Sequence, residues 1–291
     1  MSNVAFSLDW LKCTFKSRDD IHEHIPLSMI VHDSEESEGI GSYNQGISNN
    51  YFTLSWHSER PEMKVMLQMT GKQLSEFRKS GGDIVEVLLF CIRRWGTFTR
   101  LDFAVDIMDS GGKPEDLYAR WQTSGMITSA RTASIITGKN EKESTGTTVY
   151  IGSRQSLRMM RVYEKGKQMG MPVDWLRAEL EFKGARANQM AQSMCTYGVA
   201  NGGVTHMRKF VQLTDIEWFE NALEGDYEVF DIDAIGRPQT DHDKWIFEVV
   251  IPAIEKSVAR GLPGVLEVLR AIVETHDNNA QHGPSLTPQR E

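Results

Sequence analysis

The chain has 291 residues, a net charge of −8, 40% hydrophobic and 25% charged residues. That balance is globular, and the acidity excludes a coat protein that holds nucleic acid through bulk charge alone. No apolar run nears the roughly 18–20 residues that a membrane span needs. Cys13, Cys91 and Cys195 have neither CxxC nor metal-finger spacing, so the expectation is three reduced thiols in a cytoplasmic protein.

The start, "MSNVAFSLDWLKCTF", has no basic and no apolar leader region and reads as a strand over 4–15 rather than a signal peptide. Residues 33–50 are rich in Gly, Ser and Asn and read as a loop or hairpin. "NYFTLSW" (50–56) and "MKVMLQM" (63–69) read as strands joined by "HSERPE". "TGKQLSEFRKSGG" reads as a short helix ended by Gly81-Gly82. Residues 83–95 read as an amphipathic helix, acidic at its start and basic at its end, and 113–122 as a helix opened by proline. "FTRLDFAVDI" (98–107) reads as a strand. More strands are expected at 127–136, 147–152, 156–165 and 176–183. Helices follow at 185–197, 204–224, 241–260 and 263–276, and then a polar tail. The expected fold is α+β: an antiparallel sheet with packed helices over 1–200, compatible with two RRM-like β-α-β units. A helical C-terminal portion (201–276) and a disordered tail (277–291) complete it.

Three of these strands carry charge on one face only, because side chains alternate along a strand. In "TRLDFAVD", Leu101, Phe103 and Val105 face a core while Arg100, Asp102, Ala104 and Asp106 face away. Asp is a poor mid-strand residue, so Asp102 needs an ion pair, a hydrogen bond or a metal. Asp106 lies about 13 Å further along, too far to share an ion with Asp102, and reads as a strand-end cap. In "RMMRVYEKGK", Arg161, Tyr163 and Lys165 share a face. Two cations beside a phenol favour phenolate and bind phosphate; the same pattern also fits a surface strand with cross-strand charge pairs. In "RAELEFK", Arg177, Glu179, Glu181 and Lys183 share a face, and the two glutamates can approach one hard cation or pair with neighbouring cations. Residues 151–186 carry eight Arg/Lys against four Asp/Glu, a local +4 on a remainder of −12. Brought into one sheet, the three strands would assemble a tyrosine nucleophile, cations for a phosphate and carboxylates for Mg²⁺ or Mn²⁺.

"FTRLDFAVD", "TTVYIGSRQSLRMMRVYEKGKQ" and "WLRAELEFK" resemble, in order and spacing, the core of rolling-circle replication initiators of the Rep-trans family of plasmids and filamentous phages. The resemblance covers roughly 97–187 and implies the following. Tyr163 is the nucleophile, with Arg161 and Lys165 assisting. Asp102, Glu179 and Glu181 are the metal carboxylates, and Tyr150 is structural. Arg100, Arg154, Arg158, Arg177 and Lys183 are the DNA contacts. The activity is origin-specific nicking and joining through a 5′-phosphotyrosine with a free 3′-OH, assisted by Mg²⁺ or Mn²⁺. The partners are double-strand origin DNA, the single-strand nick site, a second copy in a homodimer and a host helicase, in a bacterial cytoplasm and away from membrane. The alternative is a non-catalytic DNA-binding regulator on the same scaffold. The chain departs from related classes in lacking a His-hydrophobe-His motif and paired tyrosine nucleophiles. His22 and His24 fall in a polar stretch. Arg208, Lys209 and Lys244 are candidates for reading the origin.

Overall fold

The structure, a computed structural model, describes residues 3–17, 34–139, 144–213 and 215–224. The strands are β1 (Val4–Phe15), β2 (Glu35–Ser37), β3 (Gln45–Ser48), β4 (Thr53–Trp56), β5 (Val65–Met69), β6 (Thr97–Met108), β7 (Met126–Thr128), β8 (Ala133–Lys139), β9 (Ser144–Ile151), β10 (Arg158–Glu164), β11 (Trp175–Lys183) and β12 (Val211–Leu213). The helices are α1 (Gly71–Lys79), α2 (Ile84–Arg93), α3 (Pro114–Gln122), α4 (Lys165–Gln168), α5 (Ala185–Tyr197), α6 (Val199–Phe210) and α7 (Glu217–Leu223). Ten strands form one sheet in the order β2-β3-β4-β5-β1-β6-β11-β10-β9-β8, antiparallel at every neighbour, and β12 pairs with β7 separately.

Alternation on the two long central strands decides which face is covered. Leu8 and Leu11 on β1, Leu101, Phe103 and Val105 on β6, and Leu180 and Phe182 on β11 are all buried. Helices α5 and α6 pack over this face against β6 and β1. Each such side chain, fully buried, contributes about 1.5–3 kcal/mol. Local sequence starts the helices: Asp83 Oδ1 accepts the amide of Val85 at 2.8 Å, and Thr70 and Gln73 form a capping box at α1. Gly198, at φ +86, turns α5 into α6 in a backbone region open to glycine.

The expected helix over 204–224 is three elements. The helix starts five residues earlier and ends at Phe210, after which Val211 pairs with Thr128 in β12 before α7 begins. Helix α6 runs through residue 200. It tolerates Gly202-Gly203 because it packs closely on the sheet: a Cβ at Gly203 would lie 2.2 Å from the Phe103 ring. Gly203→Ala should therefore lower stability by about 1–3 kcal/mol despite its better helix propensity, because the ring has no free volume to yield into. Urea unfolding measures this, and an equal or higher midpoint would contradict it. The expected strand over 127–136 is two strands, and 33–50 holds the hairpin β2–β3. The cysteines, distant in sequence, gather in the fold: Cys13 hydrogen-bonds Cys91, burial holds the Cys13 thiol well above its usual range, and all three are free. The expected helices at 241–260 and 263–276, the tail, Lys244, His22 and His24 lie outside the described residues.

Candidate active site

The three charged strands are neighbours. Asp102 pairs with Glu181, Ala104 with Glu179 and Asp106 with Arg177 across β6 and β11. Arg161 pairs with Glu179 and Tyr163 with Arg177 across β10 and β11. These residues occupy the sheet face opposite α5 and α6. A bulge in β1 between Leu8 and Trp10 makes Asp9 the extra residue of that strand, and Asp9 accepts from Arg177 Nη1 at 3.0 Å.

Tyr163, 9% exposed, donates its hydroxyl to Glu179 Oε1 at 2.5 Å. Arg161 binds the other oxygen of Glu179, and its Nη2 stands 3.5 Å from Asp102 Oδ2. Arg100 grips Asp102 with Nε at 2.8 Å and Nη2 at 2.5 Å, and reaches Glu181 at 3.0 Å. Lys183 closes the row on Glu181 at 2.8 Å. The result is an alternating series: Tyr163, Glu179, Arg161, Asp102, Arg100, Glu181, Lys183. A second cluster abuts it. Arg177 holds Asp106 with two bonds of 2.7 Å, and Trp175 Nε1 donates to the same carboxylate at 2.6 Å. Asp106 is thus an anchor for Arg177, not a free strand cap.

Burial, then the charge and hydrogen bond of Glu179, hold the Tyr163 phenol well above its usual range. This reverses the expectation that flanking cations would favour phenolate. Of those cations Arg161 is spent on Glu179, Lys165 bonds the Gln168 amide oxygen at 2.9 Å, and the group touching the hydroxyl is itself an anion. Lys165 is not on the strand face either. β10 ends at Glu164, and Lys165 opens α4 with Nζ 5.8 Å from the Tyr163 ring centroid and its pKa lowered, by burial first and Arg177 second.

Burial raises Asp102 to about 6, with Arg100 opposing. Its folded pKa exceeds the unfolded value of about 3.9, so the folded chain binds this proton more tightly. The associated stability is present below about pH 4 and is lost as pH rises through about 6. Two units at 1.36 kcal/mol each make about 3 kcal/mol. Asp102→Asn should therefore gain about that much on the parent chain between pH 4 and pH 7, other groups cancelling; denaturant unfolding at both values tests it. A constant difference would contradict it.

The remaining expected DNA contacts divide. Arg154 lies over the Tyr150 ring at 5.1 Å and donates to its hydroxyl, and the Arg154 carbonyl receives Lys183, so both stay beside the site. Arg158 lies on the other face, where its Nη2 donates to Ser129 and its guanidinium sits 5.3 Å from the Phe210 ring centroid. Arg208 donates to the carbonyl of Leu223. Asp9 and Trp10 escaped the sequence reading. The Arg100 guanidinium lies 4.7 Å from the Trp10 ring centroid, and the signal was available, since Asp9 is as ill-suited to a strand as Asp102.

Three carboxylates on one face are donors suited to a hard cation. Here the gaps between them are bridged by guanidinium groups, and among the described residues no three His, Cys, Asp or Glu side chains converge to hold a metal ion. As held, the set fits arginine, not a metal.

Residues 96–216 match the family model described as replication initiation factor. That segment is similar to this family. It spans β6 through β12, hence every strand carrying Tyr163 and its carboxylates. The chain is also 25% identical over 213 residues to the "Putative DNA relaxase NicK" of Bacillus subtilis (strain 168), covering 64% of this chain and 57% of that protein. The chain thus spans a little over half the length of that relative. The fold matches that of a rolling circle replication initiator protein from Geobacillus stearothermophilus, with TM-score 0.62, 23% identity, and 76% of this chain and 95% of the other covered. No described helix is long and apolar enough to cross a membrane.

Proposed function

We propose that this chain is an origin-specific DNA nicking-joining initiator of rolling-circle replication, with Tyr163 as nucleophile. The observation that carries the reading is the hydrogen bond from the Tyr163 hydroxyl to Glu179 Oε1, inside a family segment and on a face lined with arginines. Glu179 takes the phenolic proton as the phenolate oxygen attacks phosphorus. The bond between phosphorus and the 3′-oxygen breaks, the 3′-oxygen takes a proton from solvent, and the 5′-phosphate stays on Tyr163. Joining is the reverse, with Glu179 returning its proton. Lys165, its Nζ 5.8 Å from the ring centroid, and Arg177, paired with Tyr163 across β10 and β11, neutralise the phosphate oxygens. Arg161 orients Glu179, and Arg100 with Asp102 and Glu181 hold Arg161 in place.

One tyrosine per chain nicks once, and a homodimer supplies the second for termination. The partners on this reading are double-strand origin DNA, a single-strand nick site and a host helicase, in the bacterial cytoplasm. Because basic residues concentrate in 151–186 of an otherwise acidic chain, affinity should fall steeply with salt. Were Mg²⁺ or Mn²⁺ bound, Asp102, Glu179 and Glu181 would be the residues to hold it, and it would polarise a phosphoryl oxygen. The experiment is a denaturing gel of the protein with labelled supercoiled DNA carrying its own gene and flanks, with Mn²⁺, Mg²⁺ or EDTA. Label that migrates with the protein supports the nickase. A mobility shift without adduct favours the regulator. Adduct unchanged by EDTA counts against the metal alone.

A further inference from the structure

A cavity of about 530 Å³ opens on the same sheet face as Tyr163, at the ends of β1, β6 and β11. Met108 and Trp175 face each other across β6 and β11, two residues beyond the Asp106–Arg177 pair. Arg177 is in turn the partner of Tyr163. Two residues along a strand cover about 7 Å, a distance that one unstacked nucleotide bridges. Val173, 45% exposed, and Met108, 38% exposed, give the cavity an apolar rim. Trp175 gives it a fixed aromatic plane, because Asp106 holds the indole N–H at 2.6 Å and the Arg177 guanidinium lies 5.8 Å from the ring centroid. Asp109 lines it too, at φ +51, its backbone N–H donating to the Asp174 carbonyl at 2.9 Å. A non-glycine residue held in that region at the rim of a cavity is a constraint the surroundings enforce.

We propose that this cavity takes one unstacked nucleobase of the strand whose phosphate reaches Tyr163. The inference rests on the nicking reading and adds to it a site for the flanking base. The chemistry selects the ligand. Asp106, Asp109 and Asp174 repel a phosphate, so the backbone stays on the Arg177 and Lys165 side. Carboxylates accept from the amino and imino groups of a base edge, and an indole plane stacks any base. The cavity size is ordinary for a small planar ligand. A base seated here cannot stay stacked in a duplex, so the site also orders events: the strand opens, the base enters, and the phosphate meets the phenol.

The test uses the full chain and a single-stranded oligonucleotide spanning the mapped nick, with an abasic residue placed in turn at each flanking position. The wild-type protein should lose about tenfold in affinity at one such position. Trp175→Ala should lose about the same on intact DNA and become indifferent to the abasic residue, and Trp175→Phe should restore the discrimination. Val173→Glu, at an exposed position, should mimic the alanine variant if Trp175→Ala fails to fold. If either folded variant keeps the wild-type abasic penalty while the Tyr163 adduct still forms, the pocket is overturned and the nicking reading stands. If the wild-type protein forms no adduct, both fall.

Discussion

Tyr163→Phe should abolish the covalent DNA adduct and cut nicking by at least about a thousandfold, since on the proposed mechanism its phenol oxygen carries the phosphate. DNA affinity should stay within about threefold, because the phosphate contacts argued here come from Lys165 and Arg177 rather than the phenol. Stability should fall by about 1.5–3 kcal/mol, the range for one hydrogen bond to a charged partner. Glu179 keeps Arg161 and is not left unpaired. The control is Tyr150→Phe. Tyr150 shares the face, opposite Arg161, and its hydroxyl receives Arg154 at 3.1 Å rather than a carboxylate. With no acceptor for its proton among the described residues it should be dispensable, and that variant should nick normally. Gel separation of the adduct in both variants decides the matter. An adduct that survives in Tyr163→Phe and vanishes in Tyr150→Phe would transfer the role to Tyr150.

The faces were readable from the chain because alternation is local. Leu101, Phe103 and Val105 against Arg100, Asp102 and Asp106 follow from period two alone, and the structure keeps that division. What alternation cannot supply is the partner of each charge. Whether Glu179 meets Tyr163, Arg161 or a metal depends on the register of β10 against β11, a relation between residues 16 and 18 positions apart set by the whole sheet. The sequence reading paired Tyr163 with cations on its own strand. The fold pairs it with an anion on the next one, and the sign of the phenol's shift follows. The helix expected over 204–224 starts instead at Val199 and runs through Gly202-Gly203 despite the poor helix propensity of glycine, and a Cβ at Gly203 would lie 2.2 Å from the Phe103 ring. Lys165 looked like the next strand residue because nothing before the Gly166 signal marks the end of β10. Gly166 turns the chain there, its missing Cβ leaving room for the Val173 carbonyl 2.3 Å from where that atom would stand.

Glu179→Gln should separate a base from a mere anchor. The amide still accepts a hydrogen bond and keeps the strand packing, but it cannot take the phenolic proton. Loss of a positioned base costs about 10²–10⁴-fold in rate. It also leaves Arg161 with Asp102, at 3.5 Å, as its remaining carboxylate partner among the described residues, so stability should fall as well, by up to about 3–5 kcal/mol for a buried pair broken on one side. The pH profile carries the distinction. In the parent chain Glu179 takes the proton, so nicking does not wait for the phenol to ionise in solvent. In the variant, attack needs a phenolate made by hydroxide. The charge and hydrogen bond of Glu179 that raise the phenol are gone; burial and, more weakly, Asp9 still oppose ionisation, while Arg177 favours it. The variant's rate should therefore climb about tenfold per pH unit above neutrality, towards the ordinary phenol value near 10. Single-turnover adduct formation between pH 7 and pH 9.5, with folding checked at each pH, measures both profiles. A variant whose rate is low but flat with pH would make Glu179 a positioning residue for Arg161, and the proton would have to leave Tyr163 by another route.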